Sequence, residues 1–271
     1  MTTEFLKEII KTSGDIWEKG WAERNAGNIS IRLRRDEVPG AGGEPASPWQ
    51  NLTQAIPEIR DEFFLVSGTG KYIRNIQVEP EKNLGIIQLD ESGAKYRVVW
   101  GFCSGGRPTS ELAAHLRAHA VKKTAKPGAN QAIIHTHPPN LIALTYAVDL
   151  DTYSLTRLLW EMHGECIVVF PEGIEYLPWM MAGSDPIAAA TAAAFQKRNL
   201  VVWQYHGIFG AGENLDAAFG LIDTAEKAAE IYIKSAAIGG VRHKLPLEKL
   251  YAIARNFGAE PAADIVARLR E

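Results

Sequence analysis

Residues 131–147 read QAIIHTHPPNLIALTYA. The first seven form a short apolar run, which predicts a strand. Pro138 and Pro139 end it and open a helix over NLIALTYA, because proline is tolerated in a first helical turn. Downstream, periodicity predicts a helix over about 153–162 and a buried strand at CIVVF (166–170). Ser184 is then expected to cap the helix PIAAATAAAF. LVVWQYH (200–206) follows as a strand, then a long helix over about 214–237 and two short closing helices.

Upstream, residues 3–19 predict a helix through Phe5, Leu6, Ile9, Ile10, Ile16 and Trp17, with Gly20 at its end. In NISIRLRR, Ile29, Ile31 and Leu33 alternate with Ser30, Arg32 and Arg34, the pattern of a half-buried strand. Residues 36–57, with four prolines and Gly40, Gly42 and Gly43, read as a surface excursion. FFLVS (63–67) is a strand ending in the turn GTG, and LGIIQLD (84–90) with AKYRVVW (94–100) forms a hairpin around Glu91-Ser92-Gly93. Pro108 and Thr109 open a helix that carries Leu112, Leu116 and Ala120 on one face. The expected architecture is α/β: one domain over residues 1–271, with a central mixed β-sheet covered by helices.

Composition excludes several classes of function. Of 271 residues, 46% are hydrophobic and 23% charged, a globular profile, and the net charge of −3 provides no basic field for nucleic acid or anionic lipid. Cys103 and Cys166 show no CxxC pairing, so no disulfide framework is expected. The amino-terminal segment is charged throughout, unlike a secretory signal, and no apolar run is long enough to span a bilayer. A cytoplasmic protein with no nucleic-acid or membrane partner is expected.

The histidines carry the chemistry. His135 and His137 are two apart on a predicted strand and so share a face, where two imidazoles can grip one divalent ion. His206 ends another predicted strand, and three histidines around an open fourth position make the donor set of a catalytic zinc. His115 and His119, four apart on a helix, could also bind metal, but packing is the simpler reading. His163 lies between Glu161 and Glu165 in sequence, and His243 in a basic segment. Thr109 and Ser110 at a helix start suit an anion such as phosphate or plain capping, and Glu111 follows in the first turn. RNAGNIS (24–30) and SGTG (67–70) are small polar turns that could present backbone N–H groups to phosphate.

Taken together, ERNAGNIS, VSGTGK, PTSELAAH, IIHTHPPN and YHGIFG, in that order, resemble the class II aldolase and adducin-head family over about residues 15–237. GWAERNAGN, NLGIIQLD, RLLWEMHGEC and VVFPEGIEYLPWM resemble the branch of that family that acts on L-rhamnulose 1-phosphate. The resemblance implies one Zn2+ per subunit on His135, His137 and His206, and Glu111 as catalytic carboxylate. It implies Asn25, Asn28, Gly68, Thr69, Thr109 and Ser110 as substrate- and phosphate-binding residues, with Thr69 where serine is usual. It also implies a second catalytic carboxylate, Glu165, reaching a neighbouring subunit of a C4 homotetramer with sites at the interfaces. The expected reaction is zinc-dependent, reversible cleavage of L-rhamnulose 1-phosphate to dihydroxyacetone phosphate and L-lactaldehyde, in L-rhamnose degradation. The alternatives are an L-fuculose 1-phosphate aldolase, a pentose-phosphate 4-epimerase, or a non-catalytic oligomerisation module. Lys71 is read as surface or anion-steering, because metal chemistry needs no Schiff-base lysine.

Overall fold

The computed structural model describes residues 4–39, 44–103, 105–125 and 132–270. Thr3, Gly40, Gly42, Gly43 and Gln131, which figure in the expectations above, lie outside the described residues. The chain divides into two compact units.

The first unit comprises Met1–His137, Met180–Gln196 and Ala211–Ala218. Helix α1 (Glu4–Glu18) buries Phe5, Ile9 and Ile16, as their spacing predicts. Strands β1 (Asn28–Leu33), β2 (Gln50–Asn51), β3 (Phe63–Ser67), β4 (Leu84–Leu89), β5 (Lys95–Gly101) and β6 (Ala132–Thr136) pair in the order β2-β5-β4-β3-β1-β6. All of these pairings are antiparallel. The β4–β5 hairpin forms as expected, and Asp90 Oδ1 accepts the N–H groups of Ala94 and Lys95 to fix its turn. The excursion is not purely a surface loop, because β2 pairs with Lys95 and Tyr96 of β5.

A short helix α2 (Pro80–Asn83) precedes β4. Helix α3 (Leu112–Ala125) lays Leu112, Leu116 and Ala120 on Phe64, Val66, Ile87 and Val98, a continuous apolar core. Helix α7 (Asp185–Phe195), the next helix of this unit, packs along α3, and Arg117 donates to Asp185 Oδ1 at 2.6 Å. Ser184 stands at the cap of α7 but makes no side-chain capping bond, contrary to expectation.

β1 departs from the half-buried pattern. Ser30 is as fully buried as Ile29, because two histidines of α3 meet its hydroxyl. At Ser30 the polar face of the alternation therefore turns to a helix rather than to water.

The second unit comprises Pro138–Trp179, Lys197–Gly210 and Phe219–Glu271. Helix α4 (Pro139–Ala147) begins at the proline pair. α5 (Thr152–Met162) is capped by Asp151, whose carboxylate accepts from Tyr153 and Ser154. CIVVF is not a strand: Cys166–Val169 form the short helix α6. A run this short has no decisive period. β7 (Glu175–Leu177) runs parallel to β8 (Leu200–Trp203), which pairs antiparallel with β9 (Gly207–Gly212), so the sheet pairing is mixed. α8 (Leu215–Ala237), α9 (Leu247–Asn256) and α10 (Ala263–Arg270) complete the chain order. Among the described residues no helix is long and apolar enough to cross a membrane.

Glu226 of α8 was not singled out by sequence. Its buried carboxylate accepts the backbone N–H groups of Asn140 and Leu141 and the Asn140 amide, closing the start of α4. Glu226→Ala leaves those donors unsatisfied and should cost about 2–4 kcal/mol. Urea unfolding measures it, as a lower midpoint at unchanged slope.

Candidate metal centre

The end of β6 and the turn before β1 build one wall of the site. β1 and β6 pair with Asn28 opposite His135. The Trp21 carbonyl accepts both the His137 N–H at 2.9 Å and the Thr136 hydroxyl at 2.6 Å, which holds the strand end. Arg24 and Gly27 take left-handed backbone, and a Cβ on Gly27 would lie 3.3 Å from the His135 carbonyl oxygen. Gly27→Ala therefore combines a left-handed alanine with a push on β6. It should lose about 1–2 kcal/mol of stability and weaken metal retention, read by thermal melting and metal analysis.

His135 is buried and His137 partly so, their rings edge to face with centroids 5.2 Å apart. Glu23 Oε1 lies 2.9 Å from His137 Nδ1, so Nε2 is the nitrogen turned away from it. An outer carboxylate on one ring nitrogen is the usual way a metal-ligating imidazole is oriented.

His206 does not end a strand as expected. β8 stops at Trp203, and His206 sits in the turn before β9, its N–H on the Trp203 carbonyl at 3.1 Å. Tyr205 in this turn has left-handed backbone and donates its N–H to Thr145 Oγ1.

One ring nitrogen from each of His135, His137 and His206 lies within 4.8 Å of the other two. Tetrahedral zinc at about 2.0–2.1 Å from each nitrogen separates its ligand atoms by roughly 3.4 Å. The three imidazoles thus fit one divalent ion, and they can bind a metal.

Glu111 lies beside this group. The helix starts at Leu112, so Glu111 precedes α3 rather than lying in its first turn, and its carbonyl accepts from Ala114 and His115. Its side chain is buried, with Oε2 3.5 Å from His135 Nε2 and accepting from Asn28 Nδ2 at 2.8 Å. Burial pushes its pKa above the ordinary carboxylate value, against the opposing pull of the Asn28 bond and of His137. Thr109 Oγ1 accepts the Glu111 N–H, which fixes the backbone there.

Two of the three expected phosphate segments, SGTG (67–70) and the one that carries Thr109 and Ser110, adjoin. Gly68 forms a β-bridge with Pro108, Thr69 donates its N–H to the Arg107 carbonyl, and Thr109 donates to Ser67. Gly68 donates to the Asn83 carbonyl, so both of these turn N–H groups serve the fold. A Cβ on Gly68 would sit 2.8 Å from Lys71 Cγ and 3.0 Å from a Phe102 ring carbon, which explains the glycine. Thr69, Ser110 and Asn25 are exposed.

Glu165 is exposed at the start of α6. Glu161 is buried and paired with Arg157 and Lys244, a structural role.

Residues 7–233 match the model of the class II aldolase and adducin N-terminal domain family. The chain is 44% identical over 263 residues to the rhamnulose-1-phosphate aldolase of Pectobacterium carotovorum, covering 96% of each chain. It is 46% identical over 265 residues to that of Yersinia pestis, covering 97% of each. Among solved structures, a sugar-phosphate aldolase from Thermotoga maritima superposes with a TM-score of 0.76 at 30% identity, over 88% of this chain and 97% of that one. An L-fuculose 1-phosphate aldolase shares the fold at 19% identity with a TM-score of 0.62, over 95% of this chain and 98% of that one. Pairwise identity of this order across almost the whole length places the chain in the class II aldolase and adducin N-terminal domain family.

Proposed function

We propose that this chain is a lyase that reversibly cleaves L-rhamnulose 1-phosphate to dihydroxyacetone phosphate and L-lactaldehyde in the cytoplasm, as a step of L-rhamnose degradation. The observation that carries the reading is the convergence of three imidazoles with a buried carboxylate against one of them. The near full-length likeness to rhamnulose-1-phosphate aldolases selects the substrate. The family match runs through residues of both units, which supports one functional domain.

His135, His137 and His206 would hold the ion, and an all-imidazole set suits zinc. Such an ion supplies Lewis-acid stabilisation of the negative charge that develops beside the ketone. A base removes the C4 hydroxyl proton, the C3–C4 bond breaks, and its electron pair stays on C3. Glu111, protonated at that stage, delivers its proton to C3 and completes dihydroxyacetone phosphate. Its burial raises its proton affinity in the metal-free protein. Glu165 of a neighbouring subunit is the proposed C4 base; its exposed position leaves it open to a partner in a C4 homotetramer. Thr69, Ser110 and Asn25 at the exposed turns, with Gly68 and Thr109 shaping them, hold the phosphate. That hold positions the reacting carbons by remote binding energy. Asn28 is proposed as a further phosphate-binding residue, and its amide also holds Glu111.

The test is a cleavage assay on L-rhamnulose 1-phosphate, detecting dihydroxyacetone phosphate, before and after chelation with zinc add-back. Zinc-restored product is expected. No product from zinc-loaded protein, with product from L-fuculose 1-phosphate or a pentose phosphate instead, would overturn the substrate.

A further inference from the structure

His115 and His119, set aside by sequence as packing residues, belong to a buried hydrogen-bond chain that ends on Glu111. The chain runs from His119 Nε2 to Ser30 Oγ at 2.8 Å, and from Ser30 Oγ to His115 Nδ1 at 2.7 Å. It continues from His115 Nε2 to Asn28 Oδ1, and from Asn28 Nδ2 to Glu111 Oε2 at 2.8 Å. His115, His119 and Ser30 are essentially inaccessible to solvent, and Asn28 nearly so.

With Glu111 ionised, the direction of every bond follows. A carboxylate only accepts, so Asn28 gives Glu111 an N–H and turns its carbonyl to His115. A carbonyl also only accepts, so His115 Nε2 carries hydrogen. Burial pushes His115 down to about 3, and a neutral ring with hydrogen on Nε2 has a lone pair on Nδ1. That lone pair takes the Ser30 hydroxyl proton, which leaves Ser30 Oγ to accept from His119 Nε2. Burial and the Arg32 charge hold His119 neutral as well. All four donors point toward the carboxylate, an arrangement in which successive bonds polarise one another.

We propose that His115 is a positioning residue: its Nε2–H locks the Asn28 side chain so that the amide nitrogen faces Glu111, and Ser30 with His119 locks His115 in that tautomer. An Asn28 amide without this lock can rotate its oxygen toward the carboxylate and repel it. The kinetic part of the test rests on the aldolase reading; the spectroscopic part does not.

The experiment uses full-length, zinc-loaded wild type, His115→Gln and His115→Phe. In nitrogen-15 spectra of the wild type, His115 and His119 should be neutral Nε2–H tautomers throughout the range where an ordinary histidine titrates. Glutamine places a donor near the former Nε2 position and phenylalanine places none. The Asn28 side-chain amide signal should therefore shift in the phenylalanine variant and remain in the glutamine variant. With turnover measured, kcat should fall about 10–100-fold in the phenylalanine variant at little-changed KM and full zinc, and recover in the glutamine variant. An Nδ1–H or protonated His115, or an Asn28 signal indifferent to both variants, would overturn the proposal. Should the phenylalanine variant fail to fold, the wild-type tautomer and the glutamine variant decide. Correct tautomers and Asn28 shifts in a protein that cleaves no sugar phosphate would sustain the positioning and reject the aldolase reading.

Discussion

His206→Ala abolishes turnover and metal retention together. The turn that carries His206 is held without its imidazole, by the Trp203 carbonyl on its N–H and by Thr145 on the N–H of Tyr205. The fold should therefore survive the substitution with a melting temperature within a few degrees of the metal-free wild type. The ion does not survive it. Removing one of three imidazoles leaves two, and a catalytic zinc needs three protein ligands to be held with an open position. The decisive comparison is thermal. Zinc bound to the native state alone should raise the wild-type melting temperature, and the variant should show no such rise. A zinc-stabilised, active His206→Ala protein would remove His206 from the centre.

Glu111→Gln separates metal binding from proton transfer. Glutamine is nearly isosteric, and its carbonyl oxygen can still accept from Asn28 Nδ2. Zinc content and stability should stay close to wild type. Turnover should fall about 10²–10⁴-fold, the usual worth of a placed acid–base group. KM should change far less, because Glu111 is proposed to act at C3 and not on the phosphate. Stopped assays with zinc analysis on the same sample check both halves. Near-normal kcat would exclude Glu111 as the proton carrier.

The elements with strong periods were legible in the sequence. The long helices, β3, the β4–β5 hairpin and the proline-led α4 stand where their patterns put them. The failures share a physical cause, because each depends on a partner distant in sequence. The segment 166–169 is too short for its period to separate helix from strand, and its neighbours make it α6. β9 reads GIFGAG, and its three glycines hide a strand that β8 supplies with pairing. Ser30 looks solvent-facing until α3 covers it with two histidines.

For the site, His135, His137 and His206 came from spacing on predicted strands and Glu111 from resemblance, and the structure gathers the three imidazoles with Glu111 beside His135. What supports them was hidden. Trp21 acts through a backbone carbonyl, which no side-chain motif reports. Glu23 and Glu226 look like ordinary surface charges in sequence.

The packing of α7 on α3 has a bearing on biosynthesis. The two helices are separated by about 60 residues of chain, and the intervening Pro138–Trp179 belongs to the other unit. A ribosome adding about 5–20 residues per second leaves the α7-facing side of α3 uncovered for about 3–12 s. His206 emerges later still, so the three imidazoles are complete only after α7 is available to close the first unit. A nascent chain arrested between these helices would therefore present a sticky helix to chaperones and an unfinished set of imidazoles.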